Sequence, residues 1–576
     1  MKELLLGNAA VARAVYEAGV CVASSYPGTP STEITANIAT YDEIYTEWAP
    51  NEKVGFEVAW GATMAGKRAF TGMKHVGLNV AADPMFTLSY TGLNAGFVIA
   101  VADDPGMHSS QNEQDSRHYA RAAKLPMLEP SDSAECLEFT KYAYELSEKY
   151  DTPVLLRLTT RVCHSQSIVE TSDRVELSEK PYVKNTSKYV MMPAYARPKH
   201  PIVEQRLVDL AVLSDDTSLN RIETGDTKLG IITSGIAYQY VKEVVGDNAC
   251  VLKLGMVHPL PVKLLQEFAA TVERLVVVEE LDSIIEDHCK KIGLSVSGKD
   301  TFSLIGELSP NIIAEKLGFP YNEGVRIEDT IPQRPPVLCP GCSHRALFAT
   351  LGKIKAVVVG DIGCYTLGAT PPLDSMDMQV CMGAAISGLH GFVRAGGKNA
   401  VCVMGDSTFA HTGINSLIDV AYNGSDSTIL ILDNSITGMT GHQDNPTTGV
   451  NIRGEKVGKM DIEAVCKSCG IENVRVVDPN HMAVTEKVIL EEMAKPGPSV
   501  IIVRRPCMLL KSSKSNPSLI VNHDKCTGCK ACMKIGCPSI SFKDKKASVN
   551  RTLCVGCRVC TQLCKFDAFY SSGKDV

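Results

Sequence analysis

Short, continuously apolar runs closed by glycine, acid or proline recur along this 576-residue chain. GVCVAS (19–24), FVIAVAD (97–103) and PVLLRLT (153–159) do not alternate polar with apolar, so each reads as a strand buried on both faces, with helical stretches between. The pattern restarts after 228 with LGIITSG, CVLKLG and RLVVVEE. The proline-dense IPQRPPVLCPGC breaks it again, because helix cannot run through so many prolines. A third series follows in AVVVGDIG, NAVCVMGD, STILILDN and SVIIVRRP. PYVKNTSKYVMMPAYARPKHP (181–201) reads as an extended linker, and LLKSSKSNPS (509–518) leads into a tail of another kind. The expected organisation is α/β domains at 1–178, 228–330 and 331–510, a linker at 179–227, and a small domain at 511–576. The expected fold class is α/β with doubly wound parallel sheets.

Composition is globular, 44% hydrophobic and 21% charged, with a net charge of −7 that argues against bulk nucleic-acid binding. No apolar run reaches the roughly 20 residues of a membrane span. The N-terminal MKELLLGNAAVARAVYEAGV has too short and too broken an apolar block for a signal peptide. These features point to a soluble cytoplasmic protein without a membrane partner. Cysteine usage changes the picture: 21 are present, eight of them in the last 51 residues. In a reducing compartment such clustering means metal rather than disulfides.

The tail carries the one internal repeat. Cys526-x2-Cys529-x2-Cys532-x4-Cys537-Pro538 is followed by Cys554-x2-Cys557-x2-Cys560-x3-Cys564. In two-cluster ferredoxins the last cysteine of each run ligates the other cluster. The expectation is one 4Fe–4S cluster on Cys526, Cys529, Cys532 and Cys564, and a second on Cys554, Cys557, Cys560 and Cys537. The competing reading is a pair of zinc sites, which use looser spacings. From 511 onward 12 Lys and Arg stand against 4 Asp and Glu, a basic surface suited to an acidic soluble ferredoxin.

Two strand ends in the third series carry oxygen ligands about 28 residues apart. Asp406 closes AVCVM, HTGINSLIDVAY can form the crossover helix, and Asn434 follows TILIL. Ligands bind beyond the carboxyl ends of strands in open α/β sheets. A carboxylate and an amide oxygen side by side there would hold Mg2+, whose octahedron phosphate and water complete. The plain alternative is that both residues only close βα turns.

Gly405-Asp406-Ser407 through Asn434 resembles the Gly-Asp-Gly to Asn motif of the thiamine-diphosphate enzymes, with Ser407 for the second glycine. The resemblance implies thiamine diphosphate, and Mg2+ held by Asp406, Asn434 and the carbonyl of Ile436. It also calls for a buried acid to activate the cofactor's aminopyrimidine ring. NEKVGFEVAWGATMAGKRA offers Glu52 and Glu57; Glu57 is preferred, and Glu52 reads as a solvated acid beside Lys53.

YPGTPSTE, NEKVGFEVAWGA, KHVGLNVAADP, SSQNEQDSR, LCPGCSHR, GDIGCYTLG, GDSTFAHTG and LDNSITGMTGHQ together make nearly the whole chain similar to the 2-oxoacid:ferredoxin oxidoreductases, closest to the branch using aryl pyruvates. The resemblance implies a pyrimidine-binding domain, a transketolase-C-like domain, a pyrophosphate-binding domain and a dicluster ferredoxin domain, in that order. It implies oxidative decarboxylation with coenzyme A and ferredoxin, and a smaller beta subunit completing a hetero-oligomer. By the same resemblance Thr29 contacts the substrate carboxylate together with an arginine, for which Arg117 is preferred over Arg121. His344, His411 and His442 lie in motif loops, where they touch ligand or cap a turn.

Cys339, Cys342, Cys364 and Cys507 follow the order of a third 4Fe–4S site in related enzymes; small buried hydrophobes are the alternative. Cys21, Cys136, Cys163, Cys250, Cys289, Cys381, Cys402, Cys466 and Cys469 read as packing residues. Rival functions are a pyruvate or other 2-oxoacid enzyme of the same chemistry, and a non-catalytic iron–sulfur electron-transfer subunit.

Overall fold

The continuous apolar runs become strands because both of their faces are covered. The computed structural model describes residues 1–571 apart from 179, 322, 323, 325, 326 and 333, and the chain divides into Met1–Asp329 and Thr330–Val576. The first unit holds a seven-stranded sheet ordered Met256–His258, Met127–Leu128, Val154–Thr159, Phe97–Asp103, Ala69–Lys74, Val22–Ser25 and Tyr45–Trp48. All its pairings are parallel except the antiparallel edge strand Met256–His258. Alternate residues of Phe97–Asp103 feed two cores: Val98, Ala100 and Ala102 one, Phe97, Ile99 and Val101 the other. That period of two is the geometry of a strand sandwiched between helices.

A second sheet in this unit runs Leu275–Val278, Gly230–Ser234, Cys250–Leu254 and Arg221–Glu223, with only the last strand antiparallel. Ile232, Leu252 and Val277 pack in the same core as Phe97 and Ile99. The stretches at 1–178 and 228–330 therefore share apolar packing and a sheet edge.

The 181–201 stretch corrects the extended-linker expectation. It forms the short helical turns Thr186–Tyr189, Pro193–Ala196 and Arg197–Lys199, then runs into the helix His200–Asp216. Pro201 sits in the first helical turn, where its missing N–H costs nothing. Arg221–Glu223, also inside the expected linker, is a sheet strand.

The second unit has a five-stranded, wholly parallel sheet ordered Val357–Val359, Ala400–Gly405, Thr428–Asp433, Ser499–Arg504 and Asn473–Val477. Its faces also feed two cores, Cys402, Met404, Ile429 and Ile431 on one side, Val401, Val403, Leu430 and Leu432 on the other. After Ser499–Arg504 come two small antiparallel pairs, Leu519–Val521 with Phe569–Ser571 and Ile540–Lys543 with Lys546–Val549. Cysteines make up much of the small core there. Among the described residues no helix is long and apolar enough to cross a membrane.

Candidate functional site

In the second unit the strands ending before Asp406 and Asn434 are direct neighbours, with Gly405 opposite Leu432. Asp406 is buried; its Oδ1 accepts the Ser407 N–H at 2.7 Å and its Oδ2 the Ser435 N–H at 2.8 Å. Burial, then the neighbouring Asp433, pushes the Asp406 carboxyl up to about 7. A divalent cation bound there would reverse that cost. Asn434 Oδ1 accepts the N–H of Ile436 at 3.4 Å, and Ile436 is buried. Gly405 is confined by Tyr365, whose ring would lie 2.9 Å from an added Cβ. One π-helical turn, Phe409–Gly413, opens the crossover helix directly after this corner and contains His411. Gly383 approaches the same turn so closely that a Cβ would meet Thr412 Oγ1, and its φ of +92° suits glycine alone. The donor set fits Mg2+ and a diphosphate: one carboxylate, one amide oxygen and backbone groups at a sheet's carboxyl edge.

The tail cysteines gather as two crossed quartets. Cys526, Cys529, Cys532 and Cys564 line one cavity with about 330 Å³ of empty space. Cys537, Cys554, Cys557 and Cys560 line another with about 480 Å³. A tetrahedral zinc needs all its sulfurs about 2.3 Å from one point. Cavities lined by four thiols suit a cluster better than a single ion.

A third group lies beside the Asp406–Asn434 corner. Cys339, Cys342, Cys364 and Cys507 stand near enough for charge on one to raise the thiol pKa of another. Cys342 is pushed up to about 12, mainly by burial. The Cys507 N–H donates to the Asn434 carbonyl at 2.9 Å, so one residue turns its amide side chain to the clamp and its backbone to the cysteine group. Of the packing cysteines, Cys136, Cys163, Cys250, Cys289, Cys402 and Cys466 are buried, and Cys21 and Cys469 are partly so. Cys381 departs from that expectation: it is exposed.

The histidines separate. His344 is buried edge-on to Tyr365 at 5.8 Å, and burial pushes it down to about 4. His411 is buried in the π turn and His442 is exposed.

In the first unit, two sequence choices are corrected. Glu57, preferred as the buried acid, is 40% exposed and paired with Lys53 one helical turn back. Glu52 is the buried one, 7% exposed, against Gly77, whose added Cβ would lie 2.6 Å from Glu52 Oε1. The reason is helical register: the Asn51 side chain caps the helix Glu52–Met64 by accepting the Val54 N–H at 2.9 Å. Five residues on, Glu57 is turned by about 140°.

Arg117 is likewise unavailable to a substrate. It is 1% exposed; Nε and Nη2 bind Asp115 at 2.9 and 2.6 Å, Nη1 binds Glu279 at 2.5 Å, and Nη2 also reaches the carbonyls of Glu280 and Asp282. With its donors committed it ties the 1–178 stretch to the 228–330 stretch. Arg121 is exposed.

The cation that does lie near Thr29 is Lys74, which the sequence reading did not single out. Its Nζ donates to the Ser109 carbonyl at 2.7 Å; Ser109 Oγ lies 3.4 Å from that Nζ and 3.5 Å from the Thr29 carbonyl. Burial pushes Lys74 down to about 8 against the charge of Asp104. Its place at the end of the strand Ala69–Lys74, in the quoted KHVGLN block, was the available signal.

Comparison with known proteins follows this division. The family described as pyruvate flavodoxin/ferredoxin oxidoreductase, thiamine diphosphate-binding, matches residues 13–215. The C-terminal thiamine pyrophosphate-binding domain of thiamine pyrophosphate enzymes matches 361–503, and a 4Fe-4S dicluster domain matches 518–565. The chain is 40% identical to the indolepyruvate oxidoreductase subunit IorA of Archaeoglobus fulgidus over 98% of its length and 96% of that protein's. It is 41% identical to IorA of Pyrococcus abyssi with the same coverages. The 2-oxoglutarate synthase subunit KorB of Archaeoglobus fulgidus is 30% identical over 32% of this chain and 77% of its own.

Proposed function

The chain belongs to the indolepyruvate oxidoreductase IorA family, and on that premise we propose that it is the catalytic alpha subunit of a cytoplasmic enzyme that oxidatively decarboxylates aryl pyruvates. An aryl pyruvate, coenzyme A and two oxidised ferredoxins give an aryl-acetyl-CoA, CO2, a proton and two reduced ferredoxins. A smaller beta subunit completes the hetero-oligomer. The observation that carries this reading is the combination in one unit of a carboxylate and an amide oxygen at neighbouring strand ends, Asp406 and Asn434, with two cavities each lined by four tail cysteines.

Thiamine diphosphate, when bound, supplies a nucleophilic carbon toward the 2-oxo acid and holds the electrons that remain when CO2 departs. Asp406, Asn434 and the Ile436 carbonyl hold Mg2+ against the diphosphate, with Gly405 and Ser407 forming the turn beneath. Glu52, not Glu57, is the acid that hydrogen-bonds the aminopyrimidine, because it is the buried carboxyl of the two and Glu57 is held by Lys53. Thr29 and Lys74 hold the substrate carboxylate, replacing Arg117 in that role. Cys339, Cys342, Cys364 and Cys507 would hold a third 4Fe–4S cluster, which would supply one-electron chemistry there.

The test compares anaerobic turnover of indolepyruvate, phenylpyruvate and pyruvate by the reconstituted two-subunit enzyme. Preference for the aryl substrates, with ferredoxin reduced two per CO2, supports the reading; pyruvate as the better substrate overturns the aryl assignment. Lys74→Met is expected to raise KM for the 2-oxo acid at least tenfold; an unchanged KM removes Lys74 from the site.

A further inference from the structure

Between the CPGC cysteines and the tail lies one buried cation. Arg345 is on the first turn of the helix Ser343–Ile354, just past Cys342, and is 4% exposed. Its Nε donates to the Cys339 carbonyl at 3.0 Å. Its Nη1 donates to the Ile535 carbonyl at 3.1 Å and also to the Gly536 carbonyl, immediately before Cys537. The guanidinium thus reaches from the backbone of one cysteine group to that of another. It lines the cavity of Cys537, Cys554, Cys557 and Cys560, which Cys342 also lines. Burial pushes the Arg345 guanidinium down from its usual value, and the thiols of Cys537, Cys342, Cys339 and Cys557 oppose that shift.

Two N–H donors of Arg345 are left over: those of Nη2, which is buried without a hydrogen-bond partner. An unpaired buried N–H costs about 1–3 kcal/mol, more on a charged group, so its retention calls for an acceptor in the cavity it lines. The sulfurs of an iron–sulfur cluster are such acceptors, and hydrogen bonds to them shift the potential. Arginine stays protonated in proteins, so the charge is permanent. Arg558 lines the same cavity but is exposed, and Arg505 is taken up by Asp478 at 2.7 Å.

We infer that Arg345 is a fixed positive charge that raises the reduction potential of the cluster on Cys537, Cys554, Cys557 and Cys560, making that cluster the entry point for electrons into the tail. The inference rests on the cluster assignment above. Reduction adds one electron and one unit of negative charge to the cluster. A cation held beside it in a water-poor cavity stabilises the reduced form over the oxidised one. Arg345 acts on the cluster as a positioning residue and takes no electron itself.

The experiment is a redox titration of the intact two-subunit enzyme followed by electron paramagnetic resonance, with iron analysis, on wild type, Arg345→Gln and Arg345→Lys. Wild type lacking tail-cluster iron would sink the cluster assignment itself, before the variants are compared. Given loaded wild type, the charge-keeping Lys variant is expected to retain iron and potential close to wild type. The Gln variant is expected to shift one tail signal to a more negative potential, or to lose that cluster alone. Either result with Lys near wild type supports the inference. Gln titrating like wild type, or Lys changing as Gln does, overturns it.

Discussion

Glu52 and Glu57 show how one helical cap decides which carboxylate can do chemistry. Both lie in one quoted block, and only the register set by Asn51 turns Glu52 inward and leaves Glu57 against Lys53. A sequence names both acids but does not say where the first turn begins, so the choice was not legible. Glu52→Gln is expected to cut turnover at least about 100-fold, in the range for loss of a positioned acid or base, with tail-cluster iron unchanged. Glu57→Gln is expected to stay within about twofold; the reverse pattern in steady-state assays would restore Glu57. Arg117 was misread for a similar reason: Asp115 was visible two residues away, but Glu279 arrives from 162 residues downstream. A separate buried acid gives a pH signature. Burial, with Glu307 and Glu129 adding to it and Arg157 and the Leu308 N–H opposing, pushes Glu280 up to about 7 from 4.5. The folded chain therefore keeps a proton that the unfolded chain releases. Stability from this group is complete below 4.5 and is lost as pH rises through about 7. Calorimetry of Glu280→Gln is expected to remove that decline, by about 3 kcal/mol at its full extent; an unchanged pH slope would refute the assignment.

Strands were the most legible elements, because a continuous apolar run flanked by turn residues leaves few alternatives. FVIAVAD is observed as the strand Phe97–Asp103, and STILILDN places its strand at Thr428–Asp433. The helix His200–Asp216 was missed because its face is thin: only Val203, Arg206, Leu210 and Ser214 are buried, and two of those are polar. Pro201 belonged to the stretch read as an extended linker, although proline suits a first helical turn. The tail repeat was legible to the level of which cysteines line a common cavity, since fixed cysteine spacing leaves little else to group. Crossed ligation gives a direct prediction. Cys537→Ala and Cys554→Ala are expected to lose the same paramagnetic signal, and Cys564→Ala and Cys526→Ala the other. Loss grouped by run, with Cys537 following Cys526, would mean that each run closes its own cluster.

Within Thr330–Val576 a carboxylate–amide corner and cysteine-lined cavities occur together, and on the proposed function electrons would leave through the basic tail. Reduction of an acidic ferredoxin is expected to slow several-fold as ionic strength rises, because screening weakens attraction between opposite surfaces; a salt-independent rate would place docking elsewhere. Iron should approach 12 per chain if the third group is loaded and 8 if only the tail is, counting four per cluster. The central claim is that a thiamine-activated 2-oxo acid delivers its electrons to iron–sulfur clusters in this same chain. The most direct measurement follows the clusters' visible absorbance in the anaerobic two-subunit enzyme, supplied with Mg2+ and thiamine diphosphate, when indolepyruvate and coenzyme A are mixed in without ferredoxin. The account predicts rapid bleaching that depends on the cofactor and vanishes in Glu52→Gln. Clusters that bleach with a chemical reductant but never with the 2-oxo acid would contradict it.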